Sequence, residues 1–255
     1  MPARAIVTGG GQGMGLAVAR ALVSDGTRSV LLVGRDRDKL EAAAATLDAE
    51  AHVLAADLSD PEAPDRIMAA AMDRMGGADA LVNAAADTAR GSILDTDRAL
   101  FDRLIATNLR APFFLIQQFA QQAIAAGHGG GVVNILSVVV HGGLPFLAPY
   151  AASKAALANV TRNAAHTLAP HGIRVNGINV GWMDTPGEDM VQKRFHDRAD
   201  GWQAEANATQ PFGRLVRPEE VAAQAAFFLS DASGVVTGSV MDFDQRVVGI
   251  YPDTN

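Results

Sequence analysis

Short apolar segments alternate with longer helical segments along almost the whole chain, and this alternation constrains the fold more than any other feature. The apolar segments are hydrophobic throughout, which suits strands that are covered on both faces of a sheet. A strict strand-then-helix order is typical of a parallel, doubly wound sheet. The predicted strands are 5–8, 29–33, 53–56, 80–83, 132–136, 174–180 and 239–243, and the predicted helices are 13–24, 36–49, 61–75, 98–126, 150–168 and 218–229. The sequence therefore predicts an α/β protein with about seven parallel strands and helices on both faces, in a single domain over 1–255.

The composition excludes several classes of protein. Hydrophobic residues make up 49% of the chain and charged residues 19%, which suits a packed core and excludes a disordered chain. The net charge of −7 gives no basic field that would attract nucleic acid or an anionic membrane. Because the chain has no cysteine, disulfides, thiolate metal sites and cysteine nucleophiles are excluded, and the six histidines show no metal-ligand spacing. No apolar run approaches the ~20 residues of a spanning helix and no signal peptide fits before the first strand, so we expect a cytoplasmic protein without metal, nucleic-acid or membrane partners.

The segment 182–211 breaks the alternation. It is charged, and Trp182, Met190, Phe195 and Trp202 are scattered through it. It follows the sixth predicted strand, and the carboxyl ends of the strands are where ligands bind in such folds. We therefore interpret it as a candidate substrate lid, with a solvated helical excursion as the alternative.

A glycine-rich loop follows the first predicted strand and opens the first predicted helix, over Thr8–Gly15. Glycines permit a tight turn and a close approach to a pyrophosphate, while the helix N-terminus supplies N–H donors. The spacing of Gly9, Gly13 and Gly15 differs from G-x-G-x-x-G, and no Gly-Lys-Ser/Thr follows, which excludes a Walker loop. The position in a βαβ unit predicts phosphate binding, and the alternative is a glycine-rich turn without a ligand.

Tyr150 and Lys154 lie at i and i+4 and share one face of a predicted helix. A phenol with a pKa of ~10 is a poor base at neutral pH, and a nearby ammonium favours the phenolate and lowers that pKa. Such a tyrosine can exchange a proton with an alcohol or a ketone while a hydride moves. The pair taken alone also fits an ordinary surface pair. Ser137, at the end of the fifth predicted strand, is well placed to hydrogen-bond a bound carbonyl and favours the catalytic interpretation.

Together these residues resemble the classical short-chain dehydrogenase/reductase family over essentially the whole chain. Its motifs Thr-Gly-x-x-x-Gly-x-Gly and Tyr-x-x-x-Lys recur at 8–15 and 150–154, and Ser137 precedes Tyr150 by thirteen residues, as in the family. Asn108 matches the family's helical asparagine. Further segments that match are 174–179, 185–186, 211–214 and 218–222. The resemblance implies a Rossmann-type sheet and NAD(P)-dependent hydride transfer between the cofactor and a secondary alcohol or ketone.

The resemblance also implies roles for particular residues. Tyr150 is the proton donor or acceptor, Lys154 lowers its pKa and holds the nicotinamide ribose, Ser137 orients the substrate oxygen, and Asn108 anchors a water of the proton relay. The residues expected to bind cofactor are Thr8, Gly9, Gly11, Gln12, Gly13, Met14, Gly15, Arg35, Asp57, Leu58, Asn83, Ala84, Ala85, Tyr150, Lys154, Gly181, Met183 and Thr185. Those expected to bind substrate are Ser137, Val139, His141, Leu144, Tyr150 and Trp182.

The chain departs from the family pattern in three places. The family's Asn-Asn-Ala-Gly segment is Asn-Ala-Ala-Ala at 83–86, so a Cβ stands where a glycine usually leaves room beside the cofactor. Val180 replaces the usual proline before the nicotinamide loop. Gln245 and Arg246 replace a glycine pair near the end of the chain, so the tail through Tyr251 is expected to take a different path.

The end of the second predicted strand favours NADP(H). Gly34 occupies the place of the acid that would chelate the ribose hydroxyls of NAD(H), and the guanidinium of Arg35 follows at once. A neutral Gln12 and the nearby Asp36 leave NAD(H) open.

The sequence motifs constrain the substrate and the oligomeric state less directly than they constrain the cofactor. The expected substrate is a small polyol, sugar-like or cyclic secondary alcohol; the alternatives are a 3-oxoacyl thioester, and a non-catalytic nucleotide sensor or scaffold. Family members pair through the two helices that correspond to 98–126 and 150–168. Those helices carry more apolar residues than one sheet-facing stripe requires, so we expect a homotetramer or homodimer. The excess residues are Phe113, Phe114, Phe119, Leu157 and Val160.

Overall fold

Seven parallel strands form one sheet in the computed structural model, which describes residues 1–142 and 144–249. The strand order is β3-β2-β1-β4-β5-β6-β7. The strands are β1 (Arg4–Thr8), β2 (Ser29–Gly34), β3 (Glu50–Ala55), β4 (Ala80–Asn83), β5 (Gly130–Ser137), β6 (Ile173–Val180) and β7 (Val240–Phe243). This confirms the predicted Rossmann-type, doubly wound parallel sheet.

Nine helices pack around the sheet or follow its strands in the part of the chain that the structure describes. They are α1 (Gly13–Ser24), α2 (Arg37–Ala44), α3 (Ala63–Met75), α4 (Arg98–Ile105), α5 (Ala111–Ala125), α6 (Ala148–Leu168), α7 (Pro186–His196), α8 (Trp202–Ala208) and α9 (Pro218–Leu229). Side chains of α1, α2 and α9 fill one hydrophobic core, and those of α3, α5 and α6 fill a second on the opposite face. Strand β1 supplies both cores, because Ala5 and Val7 face the first and Ile6 faces the second. The uniformly apolar strands are thus explained by burial on both faces.

Helix α2 is shorter than the predicted helix 36–49. It begins after Asp36, whose Oδ1 accepts a hydrogen bond from the Lys39 backbone N–H at 3.1 Å, and it ends at Ala44. The Thr46 hydroxyl then donates to the carbonyl oxygen of Ala43 at 2.7 Å. Strand β3 starts at Glu50, paired with Ser29, three residues before the predicted position. The sheet therefore includes residues 50–52, which the sequence pattern assigned to the loop between the second helix and the third strand.

The predicted helix 98–126 is interrupted by a π-helical turn at Ala106–Arg110, which contains Asn108. A π-turn inserts one extra residue into a helix and is frequent at functional sites. We predicted that five apolar residues of the helices 98–126 and 150–168 lie outside the side that faces the sheet. Two of them, Phe119 and Leu157, are only 0% and 1% exposed and belong to the core. Phe113 and Phe114 are exposed.

The strand order reverses between β1 and β4, which are neighbours in the sheet. Connections on the two sides of this point leave in opposite directions, so a crevice opens at the carboxyl ends of the strands. The glycine loop after β1 and the segment after β4 meet there. Within 1–142 and 144–249, the chain offers no helix with both the length and the apolar character needed to cross a membrane.

Candidate active site

A cleft of about 330 Å³ lies at this crevice, between the glycine loop and the carboxyl ends of β2, β3 and β4. It contains most of the residues that we expected to bind cofactor. Those lining it are Gly9, Gly11, Gln12, Gly13, Met14, Gly15, Arg35, Asp57, Leu58, Ala84 and Ala85. Lys39, Arg103 and Met190 also line it, although the sequence patterns did not single out the first two.

The glycine loop is built for close packing. Gly9 and Gly13 have φ values of +69° and +53°, which side-chain-bearing residues rarely adopt. A Cβ on Gly9 would lie 2.9 Å from the backbone nitrogen of Ala85, and a Cβ on Gly15 would overlap the carbonyl oxygen of Gly9. The N-terminus of α1 can therefore reach the cleft with its N–H groups uncovered. This cradle fits the pyrophosphate of a dinucleotide.

Two predicted cofactor residues support the cleft from behind. Thr8 is 1% exposed, and its Oγ1 accepts hydrogen bonds from the backbone N–H groups of Ala84 and Ala85 at 3.1 and 3.2 Å. Asn83 is 2% exposed and donates from Nδ2 to Oδ1 of Asn134 at 2.8 Å. Both side chains join neighbouring strands and do not line the cleft. They hold the segment after β4, including its unusual alanines, against the glycine loop.

The carboxyl end of β5 and the first turns of α6 bring the predicted catalytic residues together. Ser137 ends β5, Tyr150 lies in the first turn of α6, and Lys154 follows one turn later. Lys154 is 2% exposed; its Nζ lies 5.8 Å from the centre of the Tyr150 ring and donates to the carbonyl oxygen of Ile135 at 2.7 Å. The i, i+4 spacing therefore does place the phenol and the ammonium side by side, at the edge of the sheet where the cleft lies.

Burial controls the ionisation of this pair. It raises the pKa of Tyr150 to about 12, against a hydrogen bond with Ser137 and the positive charge of Arg90, which both lower it. Burial also lowers the pKa of Lys154 to about 8. The predicted lowering of the Tyr150 pKa by Lys154 is wrong for this arrangement, because the ammonium is bonded to a backbone carbonyl and desolvation of the phenol dominates.

Asn108 joins the segment after β4 to helix α6. It is fully buried; its Oδ1 accepts from the Asp87 N–H at 2.8 Å, and its Nδ2 donates to the Asp87 carbonyl at 2.9 Å and to Oγ of Ser153 at 3.1 Å. Both amide N–H groups are thus committed to protein partners. Ser153 in turn donates to the carbonyl of Tyr150 at 2.7 Å. The π-turn therefore positions the helix that carries Tyr150 and Lys154.

The residues predicted to bind substrate are spread more widely. Val139 lies in a short 3₁₀ turn at Val138–His141, and Leu144 is 49% exposed. His141 Nε2 lies 2.7 Å from Oδ1 of Asp242 on β7, a partner 101 residues away that sequence spacing did not reveal. Neither these three residues nor Trp182 line the 330 Å³ cleft.

The segment 182–211 has a small core of its own. The rings of Trp182 and Trp202 stack at 5.7 Å, and their Nε1 atoms donate to Glu188 and Asp189 at 2.8 and 2.9 Å. Thr185 caps α7, and its Cβ lies 3.6 Å from the point where a Cβ on Gly13 would stand. This segment therefore begins against the glycine loop, and its Met190 lines the cleft.

Two other residues predicted to bind cofactor lie at the base of this segment. Gly181 lies against the carboxylate of Asp244, and its N–H donates to the carbonyl of Phe243 at 3.0 Å. Met183 pairs with Val216. Neither residue lines the cleft.

Comparison with known proteins decides the family. A family model described as enoyl-(acyl carrier protein) reductase matches residues 9–245. A solved structure described as a short chain dehydrogenase/reductase family protein is 35% identical, covers 94% of this chain and 94% of its own, and superposes with a TM-score of 0.81. The chain belongs to the short-chain dehydrogenase/reductase family.

Two members of the family are similar over almost their whole length. Sorbitol dehydrogenase of Cereibacter sphaeroides is 33% identical, with 94% of this chain and 95% of that protein covered. Gluconate 5-dehydrogenase of Gluconobacter oxydans strain 621H is 34% identical, with 95% and 93% covered. As a member of this family, the protein is an NAD(P)-dependent oxidoreductase that interconverts a secondary alcohol and a ketone.

Proposed function

We propose that the protein transfers hydride between NADP(H), which it prefers to NAD(H), and a small polyol, sugar-like or cyclic secondary alcohol or its ketone. The convergence of Ser137, Tyr150 and Lys154 at the carboxyl end of β5 and the start of α6 carries this proposal, although none of the three lines the 330 Å³ cleft. The similarity to sorbitol dehydrogenase supports the substrate class. We further propose that it works as a cytoplasmic homotetramer or homodimer.

The mechanism follows from the ionisation of the site. The nicotinamide supplies or accepts the hydride when it is bound. With a pKa of about 12, Tyr150 is protonated at neutral pH and donates its proton to the carbonyl oxygen in the direction of reduction. Ser137 donates a hydrogen bond to the same oxygen. Lys154, with a pKa of about 8, is mostly an ammonium at neutral pH and holds the ribose hydroxyls.

Replacement of Tyr150 tests the mechanism. Tyr150→Phe keeps the ring and removes the proton, so kcat should fall at least ~100-fold, the lower end for the loss of a general acid or base. Cofactor affinity, measured by NADPH fluorescence, should change less than ~3-fold. Near-normal turnover in this variant would remove Tyr150 from its role.

The charge at the end of β2 supports the preference for NADP(H). Arg35 and Lys39 both line the cleft where an acid would bind the ribose hydroxyls of NAD(H). Asp36 also lines the cleft, but its carboxylate caps α2 through Oδ1 and its Oδ2 lies 3.7 Å from Nζ of Lys39. The pKa of Asp57 is held below its usual range, mainly by a hydrogen bond from the Ser59 backbone and also by the charge of Arg35. A 2′-phosphate would therefore meet two cations.

The preference is tested by kcat/KM for NADPH and for NADH, in the wild type and in Arg35→Ala. The wild type should favour NADPH, and the substitution should lower the NADPH/NADH ratio at least ~10-fold, the value of a charge-assisted hydrogen bond. A wild type that favours NADH would refute the preference and point to Asp36 as the residue that binds the ribose.

The similarity to a solved structure described as a putative betaketoacyl-ACP reductase, 34% identical with a TM-score of 0.81, favours a second candidate, the reduction of a 3-oxoacyl thioester. A panel of sorbitol, cyclohexanol, fructose and acetoacetyl thioesters, followed by cofactor fluorescence, separates the two. Thioester turnover that exceeds alcohol turnover favours the second candidate. Cofactor binding without turnover of any member of the panel would instead favour a nucleotide sensor.

A further inference from the structure

Arg90 is a partly buried cation beside the candidate active site. Among residues 1–142 and 144–249, no carboxylate lies within 4.0 Å of its guanidinium. Burial lowers its pKa, but an arginine keeps its charge in proteins. The charge of Glu188 acts on the guanidinium from beyond this distance, and a partly desolvated charge without a directly bonded counterion costs free energy unless a ligand supplies one. This arrangement is therefore unusual for a purely structural arginine.

The backbone fixes Arg90 next to the catalytic tyrosine. The Gly91 N–H donates to the carbonyl of Phe146 at 2.9 Å, and the Ala148 N–H donates to the carbonyl of Gly91 at 3.0 Å. These two bonds join the segment after β4 to the start of α6, two residues before Tyr150. The charges of Arg90 and the phenol influence each other's pKa, as expected of near neighbours.

Hydrogen bonds orient the guanidinium of Arg90 but do not use all of its N–H donors. Nη1 donates to the carbonyl of Thr88 at 2.8 Å, and Nε and Nη2 share one acceptor, Nε2 of His196 on α7, at 3.3 Å each. The guanidinium carbon lies 5.5 Å from the centre of the Phe146 ring. Of its five N–H groups, one on each terminal nitrogen has no acceptor in the described part of the chain. Those two donors match the two oxygens of a carboxylate.

The surrounding charges favour a single negative charge at this place. His196 accepts from Arg90, so its Nε2 carries no proton, and burial followed by the Arg90 charge lowers its pKa. Glu188 is the acid whose charge acts on both Arg90 and Tyr150, and its Oε1 is held by Trp182 and Gln192 at 2.8 and 2.7 Å. A nearby fixed acid disfavours a dianionic phosphate more than it disfavours a carboxylate.

We propose that Arg90 binds a carboxylate group of the substrate, so that the protein acts on hydroxy acids and the corresponding keto acids. This rests on the proposed function, because the same substrate presents its hydroxyl or carbonyl carbon to Tyr150. The printed activity of one relative, gluconate 5-dehydrogenase, concerns a hydroxy acid and agrees with this substrate class. The segment 182–211 contributes through His196, whose Nε2 accepts from Nε and Nη2 of the guanidinium.

Matched substrate pairs test the proposal. Each pair is a hydroxy acid and its uncharged amide: gluconate with gluconamide, and 4-hydroxycyclohexanecarboxylate with its carboxamide. In the wild type, kcat/KM should be at least ~10-fold higher for the acid of a pair, the value of hydrogen bonds to a charged group. Arg90→Gln should lower kcat/KM for the acid at least ~10-fold more than for the amide and so remove the preference, and Arg90→Lys should retain part of it.

Arg194→Gln is the matched control, because Arg194 is an exposed cation on the same helix as His196 and its guanidinium lies over the ring of Phe195. This variant should keep the wild-type preference for acids. Equal kcat/KM for acid and amide in the wild type, or an equal loss for both in Arg90→Gln, would overturn the proposal while leaving the oxidoreductase function in place.

A binding measurement separates this proposal from the catalytic one. Tyr150→Phe, saturated with NADP⁺, should be stabilised against heat by gluconate and not by gluconamide. The same selective stabilisation in the absence of any wild-type turnover would support the Arg90 site and refute the proposed function. Turnover of the amides without selective stabilisation by the acids would refute the Arg90 site alone.

Discussion

At the scale of one residue, the burial of the Lys154 ammonium lowers the stability of the folded protein at the candidate active site. Its side chain is 2% exposed, and the only protein acceptor of its ammonium in the described part of the chain is the carbonyl of Ile135. Desolvation lowers its pKa from 10.5 to about 8. The shift corresponds to about 3 kcal/mol of destabilisation of the folded, cofactor-free protein at neutral pH. Ribose hydroxyls would give the ammonium the partners that it lacks.

This destabilisation has a defined pH dependence. Between pH 8 and 10.5 the unfolded chain still binds the proton that folded Lys154 has lost, so stability rises with pH across that window. The free energy of unfolding of the wild type, relative to that of Lys154→Met, should therefore increase by about 2 kcal/mol from pH 7 to pH 10. Urea denaturation of both proteins without cofactor measures the difference.

Lys193→Met is the control for this experiment. Lys193 is exposed, and the hydrogen bonds that its ammonium donates to Asp189 and Asp200 raise its pKa to about 12. Its contribution is fully present below pH 10.5 and is lost as the pH rises through its folded pKa, so it should show no increase between pH 7 and pH 9. Parallel curves for the wild type and Lys154→Met would contradict the buried-ammonium interpretation.

At the scale of elements, the glycine loop and α1 act as one unit because they touch through backbone atoms. A Cβ on Gly15 would overlap the carbonyl oxygen of Gly9, whereas a Cβ on Gly11 would meet Leu40 at an ordinary 3.5 Å. Gly15→Ala should therefore push α1 away from the loop, lower the free energy of unfolding by ~1–3 kcal/mol and weaken cofactor binding. Gly11→Ala should change that free energy by less than ~0.5 kcal/mol.

Chemical denaturation and NADPH titration of the two glycine variants check this prediction. An equal loss of stability in Gly15→Ala and Gly11→Ala would contradict it. Such a result would mean that the loop excludes side chains for a reason other than its contact with α1. Retained stability with lost NADPH affinity in Gly15→Ala would confine the effect to the cofactor.

The sequence predicts the elements that follow from local pattern and misses those that depend on partners far along the chain. Apolar runs located the inner strands β1, β2, β4, β5 and β6 because burial on both faces leaves a strong signal, whereas the more exposed edge strand β3 was located with its start three residues late. The i, i+4 pair correctly placed Tyr150 beside Lys154. No local signal ends α2 at Ala44, because that boundary is set by the pairing of β3 with β2. Asp242 beside His141, and Arg90 beside Tyr150, depend on contacts between segments that are distant in sequence. The predicted lowering of the Tyr150 pKa was wrong, because the spacing of residues does not reveal how deeply a side chain is buried.

At the scale of the whole molecule, aromatic side chains remain exposed on α4 and α5. Phe101, Phe113 and Phe114 are 45%, 45% and 40% exposed, and the rings of the last two meet edge to face at 5.4 Å. Single exposed apolar residues are ordinary, but a cluster of large ones on one surface marks an interaction site. Both helices belong to the segment 98–126, which we predicted to form the subunit contact together with 150–168 on α6.

Light scattering at micromolar concentration should accordingly give a mass of two or four times 26.6 kDa. Phe113→Glu places a charge on the surface proposed for the contact, where an unpaired buried charge is costly, so it should weaken association at least ~10-fold while leaving the circular dichroism spectrum unchanged. Phe212→Glu is the control, because Phe212 is 76% exposed in the segment between α8 and α9 and belongs to neither helix of the predicted contact. A 26.6 kDa particle for the wild type, or equal dissociation of both variants, would show that α4 and α5 do not form the contact. Dissociation confined to Phe113→Glu would assign the interface to these two helices, which also carry the π-turn that positions Asn108 and α6.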